Sequence, residues 1–467
     1  MQLTNPASLT NLNSQEKQLE DFIARYSNKT KISKQLTQAY RSVLADRRGS
    51  AGFRPAIKEM VYPIIGKYAS GSKIWDIDGN EYIDLVMGFG VNLFGHNPPF
   101  IKEAIQERLE QGIHIGPQSD LAGEVAELFC ELTGMERVTF SNTGTEAVMT
   151  ALRLARATTG RQKIAMFAGS YHGHFDGTLV QRQKIDDNLV VVPSFPGVLP
   201  NVAHDVLVLD YGDFKSLEVI KAYQHELAAV LVEPIQDERP DIQPQEFLLQ
   251  LREITKQSGI ALIFDEILTG FRIHLGGAQA WFGIEADIAT YGKIVGGGLP
   301  IGIIGGKATY MDRIDGGMWS YGDASFPQVE TTFFAGTYCK HPLAMAAARA
   351  VLKYLKSQGN ALQQQLNERT SQFVEKLNTY FQEDEVPIRL ANCGSMFTSL
   401  PLGNSVDSGD ASLGNMDLIF YHLLCRGIFI IPNGGLLSTA HTDEDLEYII
   451  QAVKDSIKEL RESGFLP

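Results

Sequence analysis

The feature that most narrows the fold is a series of six short apolar segments between residues 137 and 291, separated by polar, helix-patterned stretches. They are Arg137 to Phe140, Lys163 to Phe167, Val206 to Leu209, Ala228 to Val232, Ala261 to Phe264 and Ile288 to Tyr291. Unbroken apolar runs of this length fit strands buried on both faces, and helices between them fit the crossovers of a parallel sheet. The expectation is an α/β protein whose large domain, residues 96–341, carries a mostly parallel central sheet.

The flanks read differently. Residues from Met1 to about Ser14 are rich in Asn, Ser, Thr and Gln, the composition of a linker or frayed end with little order. From Ser27 the chain turns basic (Lys29, Lys31, Lys34, Arg41, Arg47, Arg48), and Ile32, Leu36, Tyr40 and Val43 fall at helical spacing. Residues 1–48 are therefore read as a linker and a basic amphipathic helix, whose positive face either is simply solvated or docks an acidic protein. Ile74 to Val86 alternates around Asp78-Gly79-Asn80, a hairpin signal within residues 49–95. Beyond His341 come helical patterns from Pro342 to Ser357 and Leu362 to Phe381, short strands around Ile388 to Leu400 and Ile428 to Ile431, and a Gly-Asn-Ser-rich loop from Leu402 to Asn415. Residues 342–467 are expected to form a smaller α+β domain, joined by the returning N-terminal hairpin.

Composition excludes several functions. A formal net charge of −14 opposes binding to a nucleic-acid backbone. No apolar run approaches membrane-spanning length, and Met1 opens neither a basic nor an apolar leader, so the chain reads as soluble and cytoplasmic. Cys130, Cys339, Cys393 and Cys425 lie far apart without metal-site spacing, which fits a reducing compartment.

Chemistry is expected in the loops at the carboxyl ends of the strands. Lys293 ends an apolar run and is followed by Gly296-Gly297-Gly298, where backbone can approach a flat ligand closely. Desolvation there lowers a lysine pKa and frees an amine for Schiff-base chemistry, against the ordinary alternative of a solvated lysine. The nearby Gly305-Gly306-Lys307-Ala308-Thr309 is not a phosphate-binding P-loop, because Ile301 and Ala308 occupy places that need Gly and Ser or Thr. Ser141 to Ala147 follows a strand and opens a helix, so Gly144 and Thr145 can offer N–H groups to a phosphate, or Thr143 or Thr145 can merely cap the helix. Asp265, at another strand end, suits the protonated nitrogen of a pyridine ring, or with Glu266 caps the next helix. Tyr171, between glycines, offers a ring to stack on a flat cofactor. His172 and His174 lack carboxylate or cysteine support, and no metal is expected.

Together these loops resemble the class III aminotransferases, fold-type I enzymes that use pyridoxal phosphate, and most closely glutamate-1-semialdehyde aminomutase. The matching pieces are Trp75-Asp76-Ile77-Asp78-Gly79, Phe94-Gly95-His96-Asn97-Pro98, Asn142 to Ala147, Tyr171-His172-Gly173, Val232-Glu233-Pro234, Asp265 to Arg272, Gly292-Lys293 and Gly336-Thr337. The resemblance implies that Lys293 anchors pyridoxal phosphate and moves the substrate proton, and that Asp265 binds the ring nitrogen. It implies that Tyr171 and Ile267 flank the ring and that Thr143, Gly144 and Thr145 hold the phosphate. Thr337 would complete that site in a partner subunit, giving a homodimer with shared active sites, and Arg54 would take a substrate carboxylate. The aminomutase carries a glutamate shortly before its Ser-x-Ala-His segment, whereas Pro432 to His441 carries none. That departure and the basic N-terminal segment resemble the aminotransferase domains of hybrid polyketide and nonribosomal peptide synthetases. The activity then expected is transfer from an amino-acid donor to the β-keto carbon of an acyl chain on an acyl carrier protein. The alternative is an aminomutase or a transaminase of free small aldehydes.

Overall fold

The computed structural model describes residues 6–186, 188–402, 418–432 and 434–466, with the side chains of the first helix from residue 15 onward. The loop expected between Leu402 and Asn415 falls, from residue 403, outside the described residues.

The chain opens with a helix, Pro6–Lys29, where an unstructured start was expected. Its second half is held by a stripe the polar composition conceals: Phe22 and Tyr26 are buried, and Leu19 and Ile23 pack beside them. Phe22 stacks on His422 with ring centroids 4.0 Å apart. A second helix, Lys31–Tyr40, fulfils the amphipathic pattern only in part. Its buried residue is Ser33, whereas Ile32, Tyr40 and, beyond the helix end, Val43 are exposed. The helix is fixed by polar bonds instead. Asp78 accepts the N–H groups of Ile32 and Ser33 and the Ser33 hydroxyl, the last at 2.8 Å, so the hairpin turn caps the helix start.

Strands β1 (Gly66–Ser70), β2 (Lys73–Asp76) and β3 (Glu81–Asp84) form the expected hairpin with one added strand. The central sheet contains β4 (Arg137–Ser141), β5 (Lys163–Phe167), β8 (Val206–Leu209), β9 (Leu227–Val232), β10 (Ala261–Asp265), β11 (Ile288–Tyr291) and β12 (Gly302–Gly306), in the order β4-β12-β11-β10-β9-β5-β8. The six expected strands are all present, each within a residue of its expected bounds. Strand pairs from β11 through β8 are parallel, and every residue of β9 and β10 is buried, as sheets covered on both faces require. A short hairpin of β6 (Val180–Ile185) and β7 (Asn188–Pro193) stands apart from this sheet.

Strand β12 was not expected. It runs antiparallel to both neighbours, and its sequence Gly-Ile-Ile-Gly-Gly reads as a loop by propensity. The glycines are there for close approach: a Cβ on Gly302 would lie 2.1 Å from the Thr143 carbonyl oxygen, and one on Gly305 would lie 2.8 Å from Met135 Cγ. Lys307 follows the strand and is bound to Asp287 at 2.7 Å.

In the C-terminal part, helices Pro342–Gln358 and Ala361–Glu383 precede β13 (Ile388–Cys393) and β14 (Met396–Pro401). The first of these helices packs on helices Pro99–Glu110 and Ala122–Thr133 beside the central sheet. Strand β15 (Ile428–Phe429) pairs in parallel with β3, which joins the two ends of the chain, and β16 (Gly434–Leu436) completes a sheet with β13 and β14. Helix Asp443–Glu462 starts with a capping box between Thr442 and Asp445 and closes the core over Leu446, Ile450 and Ile457.

Gly302→Ala should lower the urea midpoint of unfolding by the equivalent of about 1–3 kcal/mol, because the new methyl meets backbone that cannot step aside. An unchanged midpoint would show that β12 does not lie against the turn after β4.

Candidate functional site

Five loops leave the carboxyl ends of β4, β5, β9, β10 and β11 and meet at one edge of the sheet. Asp265 is the last residue of β10 and is only 5% exposed. The β10–β11 register sets it beside Thr290, whose hydroxyl donates to Oδ1 at 3.1 Å. The Ile267 N–H donates to the same oxygen at 3.2 Å, and His172 Nδ1 lies 2.8 Å from Oδ2. A buried carboxylate needs such donors, and here they come from three strand ends.

Lys293 follows β11 and takes a positive φ of 47° in a 3-10 turn that runs to Gly296. A non-glycine residue in that region carries strain of the sort found at functional sites. Burial pushes the amine below the usual lysine value. Asp237 opposes this, the Arg272 guanidinium reinforces it, and Asp265 and Glu233 oppose it more weakly. A larger share of neutral, nucleophilic amine follows.

The turn after β4 supplies donors. Thr143 caps the helix Gly144–Thr159 by accepting the Glu146 N–H at 3.2 Å, and Glu146 accepts the Asn142 N–H at 2.7 Å. Thr143 is thus used as a cap, while the N–H groups of Gly144 and Thr145, in the first helical turn, have no intrahelical partner. A Cβ on Gly144 would come within 2.4 Å of Ile267 Cδ1, and one on Gly292 within 3.7 Å of Ile267 Cγ2. Ile267 therefore bridges the turn after β4 and the lysine loop. Gly173, at φ +80°, lies against Thr145, whose hydroxyl accepts the His174 N–H at 3.3 Å.

Tyr171 is 69% exposed, and its N–H donates to Glu233 Oε2 at 3.0 Å. Gln236 steadies the same turn through Ala168 O and Ser170 Oγ, both at 2.9 Å. Thr337 is exposed, on a loop whose Gly336 approaches Asn142. Arg54 is half-buried at the head of the 3-10 turn Pro55–Met60, outside the five loops.

From sequence, His172 was weighed only as a metal ligand and Glu266 only as a helix cap, while Glu233 and Arg272 stood inside quoted motifs with no assigned role. Glu266 is fully buried and accepts from Thr269 Oγ1, the Ala278 N–H and the Gln279 N–H, which closes the loop after β10. Arg272, also fully buried, donates to Ser395 Oγ at 2.8 Å and to the Gly90 carbonyl, and burial pulls its pKa down to about 10. A polar residue held in an otherwise apolar strand-end stretch was the available signal. Among the described residues no group of three or more His, Cys, Asp or Glu is arranged to hold a metal ion, and no helix is long and apolar enough to cross a membrane.

Burial pushes the Glu233 carboxyl from 4.5 up to about 8, against the pull of the Tyr171 N–H. With the folded value above the unfolded one, its proton stabilises the fold fully below about pH 4.5, and that contribution is lost as pH rises through about 8. Glu233→Gln keeps an acceptor for Tyr171 and removes the titration, so thermal stability of the cofactor-free protein should decline less steeply over this window. Glu266, pushed up to about 7, retains part of the slope. Parallel calorimetric profiles for the two proteins would mean that Glu233 is already ionised in the folded state.

Comparison with known proteins matches residues 56–444 to the family described as "Aminotransferase class-III". The chain is 38% identical over 410 residues to glutamate-1-semialdehyde 2,1-aminomutase 2 of an Exiguobacterium species, covering 86% of this chain and 91% of the relative. Among solved structures it is similar to an omega-transaminase from Sphaerobacter thermophilus, with TM-score 0.82, 31% identity and coverage of 92% of this chain and 98% of the other. It is also similar to a β-phenylalanine aminotransferase from Variovorax paradoxus, with TM-score 0.80, 28% identity and coverage of 96% and 98%. A family match across most of the chain, whose central sheet carries a desolvated lysine and a buried aspartate at one edge, shows that the chain belongs to the class III aminotransferases, pyridoxal-phosphate enzymes of fold type I.

Proposed function

We propose that the protein moves an amino group to or from a small carbonyl compound, with Lys293 as anchor of the cofactor and carrier of the proton. The observation that carries this reading is that one sheet edge holds both the Lys293 amine, desolvated by burial, and a buried Asp265 carboxylate that still has acceptor capacity. The glycines at 144 and 173 let these loops close up there, since a Cβ at either place would run into Ile267 or Thr145.

Pyridoxal phosphate supplies a ring that draws electrons from the substrate carbon. This chain's residues do the rest. Asp265 would keep a proton on the ring nitrogen, Ile267 and Tyr171 would flank the ring, and the N–H groups of Gly144 and Thr145 would hold the phosphate beside Thr143. Lys293, its pKa lowered, would take the proton from the nitrogen-bearing carbon of the substrate and deliver it to the cofactor carbon on the other side of that nitrogen. Arg54 is proposed for a substrate carboxylate, where guanidinium geometry gives paired bonds. The active form is proposed as a homodimer in which Thr337 completes the partner's phosphate site. Exposed Met318, Tyr321, Phe326, Phe333 and Tyr338 in the same stretch of chain support a covered surface there.

For the substrate, the aminomutase named among the curated relatives favours exchange of an amine between neighbouring carbons of one small molecule such as glutamate-1-semialdehyde. A second reading is amination of the β-keto carbon of a carrier-bound acyl chain by an amino-acid donor. It is supported by the lack of any carboxylate from Pro432 to His441 and by a groove of about 560 Å³ that presents Arg41, Phe53 and Lys58, with Lys34 paired there to Glu59.

Borohydride reduction of the loaded enzyme followed by peptide mapping should recover the cofactor on Lys293, and recovery on Lys307 or Lys340 would move the active site elsewhere. Mass spectrometry then separates the substrate readings. Rearrangement of glutamate-1-semialdehyde without any added donor supports the aminomutase. Donor-dependent amination of a carrier-bound β-ketoacyl chain, with the semialdehyde unchanged, supports the second reading.

A further inference from the structure

We infer that His172 is a positioning residue that holds the Asp265 carboxylate in the one orientation able to receive the protonated ring nitrogen. The inference rests on the reading of Asp265 as that nitrogen's partner and adds a residue to which no role has been given.

An ionised carboxylate is an acceptor with about four lone-pair sites. On Asp265, Oδ1 already receives two donors, the Ile267 N–H at 3.2 Å and the Thr290 hydroxyl at 3.1 Å. Oδ2 receives one, from His172 Nδ1 at 2.8 Å. The open acceptor site is therefore on Oδ2, the oxygen that His172 touches. Two bonds to Oδ1 pin that oxygen but leave the group free to pivot about it, because rotation of a carboxylate about its terminal bond is soft. The bond from His172 removes that freedom.

The histidine itself is placed at a cost. It is 2% exposed, and its Nε2 is buried with no hydrogen-bond partner among the described residues. With Nδ1 donating to Oδ2 of Asp265, the second ring nitrogen, Nε2, is left unused. Packing alone would be served by an apolar ring of the same shape. Retention of imidazole with one nitrogen idle points to the work done by the other.

The test uses the full-length protein reconstituted with pyridoxal phosphate labelled with ¹⁵N in the ring. His172→Phe keeps a flat ring without a donor, and His172→Asn returns an N–H near the place of Nδ1. NMR of the ring nitrogen reports its protonation, and stopped-flow single turnover with saturating amine donor reports the first half-reaction. In His172→Phe the nitrogen resonance should move toward the unprotonated position. The half-reaction should slow about 10- to 100-fold, the rate equivalent of one charged hydrogen bond, with donor affinity little changed. His172→Asn should recover most of both. A protonated resonance and near-parental rate in His172→Phe would overturn the inference, as would His172→Asn being impaired as severely as His172→Phe, which would assign the role to ring shape. If His172→Phe does not bind the cofactor, the His172→Asn comparison with the parent decides: a parental resonance and rate support the donor role. Asp265→Asn is the control for the reading beneath: a ring nitrogen that stays protonated in it means that the Asp265 assignment, rather than the role of His172, has failed.

Discussion

A carboxylate buried without an adjacent lysine or arginine is costly, and the architecture of this protein can be read as the means of keeping one. Asp265 is satisfied by groups from β10, β11 and the turn after β5, so no single element makes the site. The parallel register that sets Asp265 beside Thr290 is the same register that sends Lys293 out of the next strand end. Sheet order and chemistry are thus one constraint: a slip of one residue in β11 would turn Thr290 to the opposite face and deprive Oδ1 of its hydroxyl donor.

The charges around this carboxylate serve geometry more than stability. Glu266 lies in the interior among two backbone N–H groups and one hydroxyl, and Arg272 is spent on a carbonyl and a hydroxyl. Among the described residues neither is offset by an ion pair, and burial disfavours the charged form of both. What they provide is connection. Arg272 links the loop after β10 to Gly90 of the N-terminal segment and to Ser395 between β13 and β14, so pieces from both ends of the chain are held near the lysine.

The sequence disclosed this arrangement unevenly, for physical reasons. Strands buried on both faces must be apolar throughout, and the six such runs were legible almost to the residue. Lys293 and Asp265 were legible because a charged residue at the end of an apolar run has few uses. Strand β12 was hidden because close approach by Thr143 and Met135 demands glycine, the residue that otherwise marks a loop. The helix from Pro6 was hidden because its apolar stripe is short and its cover, around His422, lies at the far end of the chain. The stripe of Ile32, Tyr40 and Val43 was visible, yet periodicity announces an apolar face without saying what covers it. His172 escaped because its partner lies 93 residues away, and only the folded sheet brings them together.

The pairing of β3 with β15 carries a consequence for how the protein is made. Ile83 finds its neighbour in Ile428, near the end of the chain. During synthesis at roughly 5–20 residues per second, the outer edge of the N-terminal hairpin stays unpaired for tens of seconds while the whole central sheet emerges and folds behind it. An open strand edge is a template for wrong partners, including the same edge of a neighbouring nascent chain. The ribosome-bound chain therefore carries an unfinished seam until the segment around Ile428 has emerged to close it.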